Sequence, residues 1–249
     1  MPLGIICYNI IMKITVIIPA YNEEKMIATC IEHVLNQTIK ADEILVIDNN
    51  STDKTAEIIK KYPVTYIRET KQGIIPARNR GFNEAKGDII ARTDADTRVP
   101  NDWIEKIKKD FKENDILAAT GPVTFYDLPL NSPLISNIFT YELKFLFNQF
   151  LLFGPNFAIK KSLWDDIKEK VCLNAKEVHE DFDLALHVPD PQKNVYFDPH
   201  LVVPISARRI KSHPESFFGE YLIRTIRMLA DHRLKEFAKS MPLAKNLIK

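Results

Sequence analysis

Cysteine is scarce in this chain: Cys7, Cys30 and Cys172 are three among 249 residues. An odd number at wide spacing excludes a disulfide framework and a cysteine-based zinc cluster, leaving small buried hydrophobes in a reducing, cytoplasmic setting as the ordinary reading. Net charge is nearly absent as well. Lys and Arg number 34 against 33 Asp and Glu, a balance of +1, so no overall field draws the chain to nucleic acid. Neither G-x-G-x-x-G nor G-x-x-x-x-G-K-[ST] occurs, which disfavours a dinucleotide oxidoreductase and a P-loop NTPase. No Gly/Ser linker or low-complexity stretch divides the sequence, and 45% hydrophobic content suffices for one sizeable core. Long apolar runs are missing too: Leu128 to Phe157 is dense in Leu and Phe but broken by Pro129, Pro133, Glu142 and Lys144. Residues 1–11 lack a basic start, and Asn9 and Lys13 interrupt their apolar character. They fit neither a signal peptide nor a spanning helix and are expected to be an extension outside the fold.

What is present is an alternation. Apolar, β-branched runs at Ile14 to Ile18, Glu43 to Ile47, Val64 to Arg68 and Asp88 to Arg92 predict strands. Between them, Met26, Ile27, Cys30, Ile31, Val34 and Leu35 form a helical stripe behind Asn22 as cap. Ser51 or Thr52 is placed to cap a helix through Ile58 and Ile59, and Pro76 suits the first position of a third. Pro100, Trp103, Ile104, Ile107 and Phe111 make another stripe, and Ile116 to Thr120 another strand. The repetition predicts a right-handed parallel α/β sheet, in which ligands bind beyond the carboxyl ends of the strands. Pro19 to Glu23, Asp48 to Asp53 and Asp94 to Asp96 are expected to converge there. In extended backbone Asp94 and Asp96 point to one side. Paired carboxylates call for a cation, and hard oxygens without Cys or His favour Mg²⁺ or Mn²⁺ over zinc. Asp-x-Asp alone reads more plainly as a polar turn; its position at a strand end favours the metal.

With these strand ends in view, the chain resembles the inverting glycosyltransferases of family 2, which have a GT-A fold. The family's Pro-x-Tyr-Asn-Glu motif is matched by Pro19, Tyr21, Asn22 and Glu23, and its Asp-Asp-Gly-Ser-x-Asp motif by Asp48 to Asp53. Ala77, Arg78, Asn79 and Gly81 match an Ala-Arg-Asn-x-Gly segment, and Asp94-Ala95-Asp96 the Asp-x-Asp element. The motifs follow the family's order over roughly the first half of the chain, a combination far more specific than any single one. Asn49 and Asn50 depart from the family's acid and glycine. Gly154 to Ile159 and His179-Glu180-Asp181-Phe182-Asp183-Leu184 resemble the strand and the Glu-Asp-x-Asp-Leu motif of the second half.

The resemblance implies a nucleotide-sugar donor held by Pro19, Ala20, Tyr21, Glu23 and Asp48, with Arg78 nearby. Asp96 is the implied direct ligand of Mn²⁺ or Mg²⁺, and Asp94 meets the ribose or the metal through water. Asp181 is the implied base and Glu180 its acceptor-positioning neighbour. One base suffices because a nucleoside diphosphate is already a good leaving group, unlike a glycosidase's alkoxide. Ser206-Ala207-Arg208-Arg209 resembles a segment that closes over the diphosphate, and His213, ahead of His200, is the expected further metal ligand. The Gln-x-x-Arg-Trp signature of processive relatives is missing, so one sugar per encounter is expected. Residues 12–210 are expected to form the catalytic domain, 12–120 its nucleotide-sugar half and 121–210 its acceptor half. Residues 211–249 follow as a helical tail. From Ser206 onward ten basic residues face four acidic ones, and Phe218, Leu222, Ile226 and Leu229 recur at helical spacing. This basic amphipathic stretch suits an anionic membrane surface at the inner face of the cell membrane, where a lipid-linked acceptor would sit; a glycan hydroxyl is the other acceptor class. Packing of that face on the catalytic domain is the more conservative reading. The competing classes are a nucleotidyltransferase, which needs a Gly-rich basic loop after the first strand, and a non-catalytic nucleotide-sugar-binding module.

Overall fold

The β-branched runs fold into strands that lie side by side because both faces of each must be covered. A computed structural model of the chain describes residues 12–128, 132–212, 215, 219, 221 and 223–230. Strand β1 (Ile14–Ala20), buried at every residue, pairs in parallel with β2 (Glu43–Asp48) on one side and β4 (Ile89–Arg92) on the other. Beyond β2 lies β3 (Thr65–Arg68), parallel again. Helices α1 (Ile27–Leu35), α2 (Thr55–Ile59) and α3 (Ile74–Glu84) make the crossovers. Helix α3 rides close on the sheet: a Cβ at Gly81 would come within 2.6 Å of Ile17 Cγ2, so only glycine allows this approach. After α4 (Trp103–Glu113), the second half adds β5 (Ala118–Thr120), β7 (Phe157–Lys160) and β8 (Val195–Phe197) to the same sheet. The order is β3-β2-β1-β4-β7-β5-β8, and β7 is the one antiparallel member. The halves expected to divide at residue 120 therefore share one continuous sheet. A two-stranded parallel ribbon of β6 (Val123–Phe125) and β9 (Val203–Ile205) sits beside it.

Alternation along the strands divides the core. Ile17, Ile47 and Ile90 face a cluster with Phe82, Phe157, Trp164 and Phe182, whereas Val16, Ile18 and Ala91 face Ile31, Trp103 and Ile107. The stripe of α1 buries Ile27, Cys30, Ile31 and Val34 as expected. Cys172, by contrast with Cys30, is partly exposed.

Several caps differ from expectation. Asn22 does not cap α1, which starts at Ile27; it takes φ 52° and its Oδ1 accepts from the Thr52 amide at 2.8 Å, while its own amide donates to Ser51 Oγ. Ser51 and Thr52 thus tie two loops together, and Asp53 instead accepts from the Thr55 amide at the start of α2. Pro76 is the third residue of α3. The apolar stretch after Leu128 forms α5 (Pro133–Phe147), which buries only Thr140, Leu143 and Phe147. Of its aromatic residues only Phe147 is buried, so a helix that laid its whole aromatic face in the core is not what forms. Phe150 to Phe153, in the loop that follows, pack against the core in its place, and a helix apolar on most sides can turn only one of them inward. Leu134, Ile138, Phe139, Tyr141 and Phe145 remain exposed, Phe145 at 82%.

Helices α6 (Lys161–Ile167), α7 (Glu180–Leu186) and α8 (Pro191–Asn194) complete the second half, and α9 (Arg208–Ser212) runs across the expected boundary at 210. Residues 223–230 are helical: Ile226 is exposed, and Leu229 packs on the core. Residues 1–11, Phe218, Leu222 and 231–249 lie outside the described residues. Among the described residues no helix is long and apolar enough to cross a membrane.

Candidate functional site

The carboxyl ends of β1, β2 and β4 adjoin, as their parallel register requires, with Ala20 opposite Asp48. Pro19 and Ala20 are buried at the end of β1, and Tyr21 is exposed beyond them. Asp48 is 2% exposed. Its Oδ2 accepts from Tyr66 at 2.9 Å and its Oδ1 from the Ser51 amide at 3.1 Å, so both oxygens of the carboxylate are held in place. Asn49 braces the neighbouring loop, donating to Lys71 O and accepting from the Gly73 amide, both at 2.7 Å.

Asp94 and Asp96 do not share an extended run. Strand β4 ends at Arg92, and the Thr97 amide donates to Asp94 O, closing a turn that holds Asp96. Their charges still meet. Burial, then the Asp94 and Glu23 charges, push the Asp96 carboxyl up to about 7, with Arg208 opposing. Arg208 reaches over from α9, its Nη2 2.5 Å from Glu23 Oε1 and 3.9 Å from Asp96 Oδ2. The start of α9 is pinned by Asp127, which accepts from the Ala207 amide at 2.7 Å and from Ser206 Oγ at 3.1 Å. Arg209 is exposed on the same turn.

These residues fit a divalent ion. Glu23 Oε2 is buried without a hydrogen-bond partner, two further carboxylates repel beside it, and the donor set is all oxygen. No group of three His, Cys, Asp or Glu among the described residues stands ready to hold a metal by itself, which suits an ion that completes its sphere with water and phosphate oxygens. His213 lies outside the described residues, and His200 is exposed, its amide held by Asp198 and its carbonyl by Lys106.

The second carboxylate group sits on the first turn of α7. Asp181 Oδ2 accepts from the Gly154 amide at 2.7 Å and Oδ1 from the Phe182 amide at 3.0 Å. Although the residue keeps part of its surface open, its carboxyl lies deep. Burial and the adjacent Glu180 charge push it up to about 7, with Arg92 opposing. Glu180 is 8% exposed and held below the usual carboxylate range by Arg92 and Arg78, which overcome the effect of burial. With both oxygens engaged by arginines, it is not free to position an acceptor. Arg78, expected near the nucleotide, is fully buried and engaged with Glu180 and Asn79. Arg92, which sequence reasoning passed over as the last residue of a strand, bridges Glu180 and Asp94. Its signal was a cation closing an apolar run two residues before Asp94. A cavity of about 950 Å³, lined in part by Lys13, Lys40, Glu43 and Lys86, lies at the opposite ends of β1 and β2, away from all these carboxylates.

The chain is similar to known proteins in sequence and in fold. GlyA, a glycosyltransferase of Streptococcus pneumoniae, is 34% identical over 114 residues, 44% of this chain and 16% of that protein. The dolichol-phosphate mannosyltransferase of Pyrococcus furiosus is 38% identical over 113 residues, 43% of this chain and 32% of that one. The chain thus aligns with well under half of each relative's length. In three dimensions, the mannosyltransferase PcManGT of Pyrobaculum calidifontis, solved with GDP-Man and Mn²⁺, superposes with a TM-score of 0.64 at 20% identity, over 95% of this chain and 78% of its own. The mostly parallel sheet and its flanking helices are the GT-A architecture. A family model described as glycosyl transferase family 2 matches residues 15–167, more than half of the sequence, and the chain belongs to that family.

Proposed function

We propose that the protein transfers a single sugar, with inversion, from a UDP- or GDP-sugar to a glycan hydroxyl or to a lipid-linked acceptor. The observation that supports this most is that one arginine joins two acidic clusters: Arg92 donates to Asp94, beside Asp96 on the donor side, and to Glu180, next to Asp181, on the other. The donor's base and ribose would lie over Pro19, Ala20, Tyr21 and Asp48. Mn²⁺ or Mg²⁺ would be held by Asp96, with Asp94 and Glu23 beside it, and would neutralise charge on the departing diphosphate. Arg208, exposed and already spanning to Glu23 and Asp96, can give hydrogen bonds to the same diphosphate. Asp181 takes the proton from the acceptor hydroxyl as its oxygen attacks the anomeric carbon from the face opposite the diphosphate. A base with proton affinity near neutrality suits that task, and burial with Glu180 raises Asp181 to it. The GDP-Man and Mn²⁺ bound by PcManGT are of the proposed donor and metal classes.

The exposed apolar side of α5 supports a position at a membrane surface, and the excess of basic residues from Ser206 onward suits anionic lipid there. The dolichol-phosphate substrate in one relative's name agrees with a lipid-linked acceptor. A panel of nucleotide sugars, screened for thermal stabilisation with and without Mn²⁺ and then for sugar transfer, tests the proposal. Stabilisation by one UDP- or GDP-sugar only with the metal, followed by turnover, is expected. Stabilisation by nucleoside triphosphates alone would favour a nucleotidyltransferase, and donor binding without turnover on any acceptor a non-catalytic module.

A further inference from the structure

Arg92 stands where β4 calls for a core hydrophobe. Ile90, two residues earlier on the same face, lies in the core cluster, and Arg92 follows it with 2% of its surface exposed. A buried guanidinium without partners is strongly unfavourable, and Arg92 has two, from opposite sides of the cleft. Nη2 donates to Asp94 Oδ1 at 3.0 Å, and Nη1 donates to Glu180 Oε1. Glu180 Oε2 accepts in turn from Arg78 Nη1 at 2.7 Å. A line of alternating charge therefore runs from Arg78 on α3 through Glu180 and Arg92 to Asp94. The guanidinium has little room to move, since it faces the Phe157 ring and a Cβ at Gly154 would lie only 3.2 Å from Nη2.

We infer that Arg92 is a positioning residue that couples the donor carboxylate Asp94 to the helix carrying Asp181, an inference that rests on the glycosyltransferase reading of this site. A planar fork holds two carboxylates in fixed directions, one on each Nη, whereas an ammonium group is a compact point charge on a flexible stem with no such geometry. Because one cation is shared, each carboxylate sets how tightly the other is held. Removing the charge of Glu180 leaves Arg92 entirely to Asp94, and that tighter pair competes with a metal–nucleotide complex. Removing the charge of Arg92 acts the other way: Asp94 and Asp96 repel without relief, and an incoming cation is bound more strongly. Meanwhile Glu180 loses one of its two partners beside Asp181, a carboxyl that also feels the Arg92 charge and lies near Tyr221. Two substitutions at one junction therefore move donor-side affinity in opposite directions, which loss of structure would not do.

Calorimetry on the full chain with UDP and with GDP, each with Mn²⁺, reads this directly. Glu180→Gln is expected to weaken binding about fivefold, and Arg92→Met to tighten it by a similar factor while lowering turnover. In an Arg92→Lys background, which keeps the charge but not the fork, Glu180→Gln is expected to leave affinity unchanged. Unaltered binding in Glu180→Gln, or shifts of the same sign in Glu180→Gln and Arg92→Met, would overturn the coupling. If Arg92→Met does not fold, Glu180→Gln and the lysine background decide. Should the wild-type chain bind neither nucleotide, the donor-site reading falls, and the junction is then measured without ligand. A denaturant cycle of Asp94→Asn and Glu180→Gln that is non-additive supports the shared arginine, and additivity refutes it.

Discussion

At the scale of single residues, the proposed chemistry depends on the proton affinity of Asp181. Its carboxyl lies near 7 because burial and Glu180 outweigh Arg92, so the fraction able to accept a proton, and with it turnover, should climb with pH, reach half its maximum at about 7 and level off about one unit above that. Asp181→Asn keeps the shape but not the basicity. Turnover on a hydroxyl acceptor is expected to fall about 10² to 10⁴-fold and to lose that rise, with donor affinity near wild type. Rates at several pH values check both; full activity in the variant would remove Asp181 from the mechanism. An acceptor phosphate, already ionised, would give a smaller and pH-independent loss. The places of Asp48 and Asp96 are legible in the sequence because apolar strand runs stop at or just before them, and that of Asp181 because it falls in the acid-rich first turn of a helix. The engagement of Arg78 and Glu180 with each other is not, since the two are brought together only by the packing of α3 against α7.

At the scale of elements, α4 carries an unusual acid. Asp110 is buried, its Oδ2 lacks a partner, and burial with the Asp198 charge pushes it from its ordinary 3.8 up to about 7. The folded protein therefore holds a proton there that the unfolded chain releases near 4. This contribution to stability is complete below that pH and is lost as pH rises through 7. Asp110→Asn should raise the melting temperature at pH 8 by about 2–4 °C for each kcal/mol recovered and change it little at pH 4. Equal shifts at both values would show that the carboxyl does not titrate as described. Helix α5 offers a second test. Phe139→Ser and Phe145→Ser alter exposed positions, so the fold should melt as before, while co-sedimentation with vesicles containing anionic lipid should fall. Retained sedimentation would place any membrane contact elsewhere. Helix periodicity alone cannot tell which apolar side of α5 turns inward, because Phe150 to Phe153 compete for the same core.

For the whole molecule, Asn156 joins the two halves. It is fully buried; its Nδ2 donates to Leu201 O at 2.6 Å and Pro122 O at 3.2 Å, and its Oδ1 accepts from Trp103 Nε1 at 2.9 Å. Asn156→Leu, close in size, would strip Leu201 O and Trp103 Nε1 of this partner, while Pro122 O keeps the Val203 amide, and should cost about 2 kcal/mol or more. A denaturant midpoint near wild type would contradict this. The parallel strands of the first half are legible because each carries its own apolar run and each crossover helix its own stripe. The direction of β7 is not, because three apolar residues and a lysine say nothing about which neighbour they pair with, and their partners lie far away in the chain.

That placement of β7 has a consequence for how the protein is made. Strands β1 to β4 can assemble as soon as Arg92 has left the ribosome, but the open edge of β4 is covered only by Phe157–Lys160, some 65 residues later. At a synthesis rate of about 5–20 residues per second, the nascent chain carries an unpaired apolar edge for about 3–13 s. During that interval the buried arginine at its tip has not yet met Glu180, and its charge is what keeps the edge from joining another of its kind.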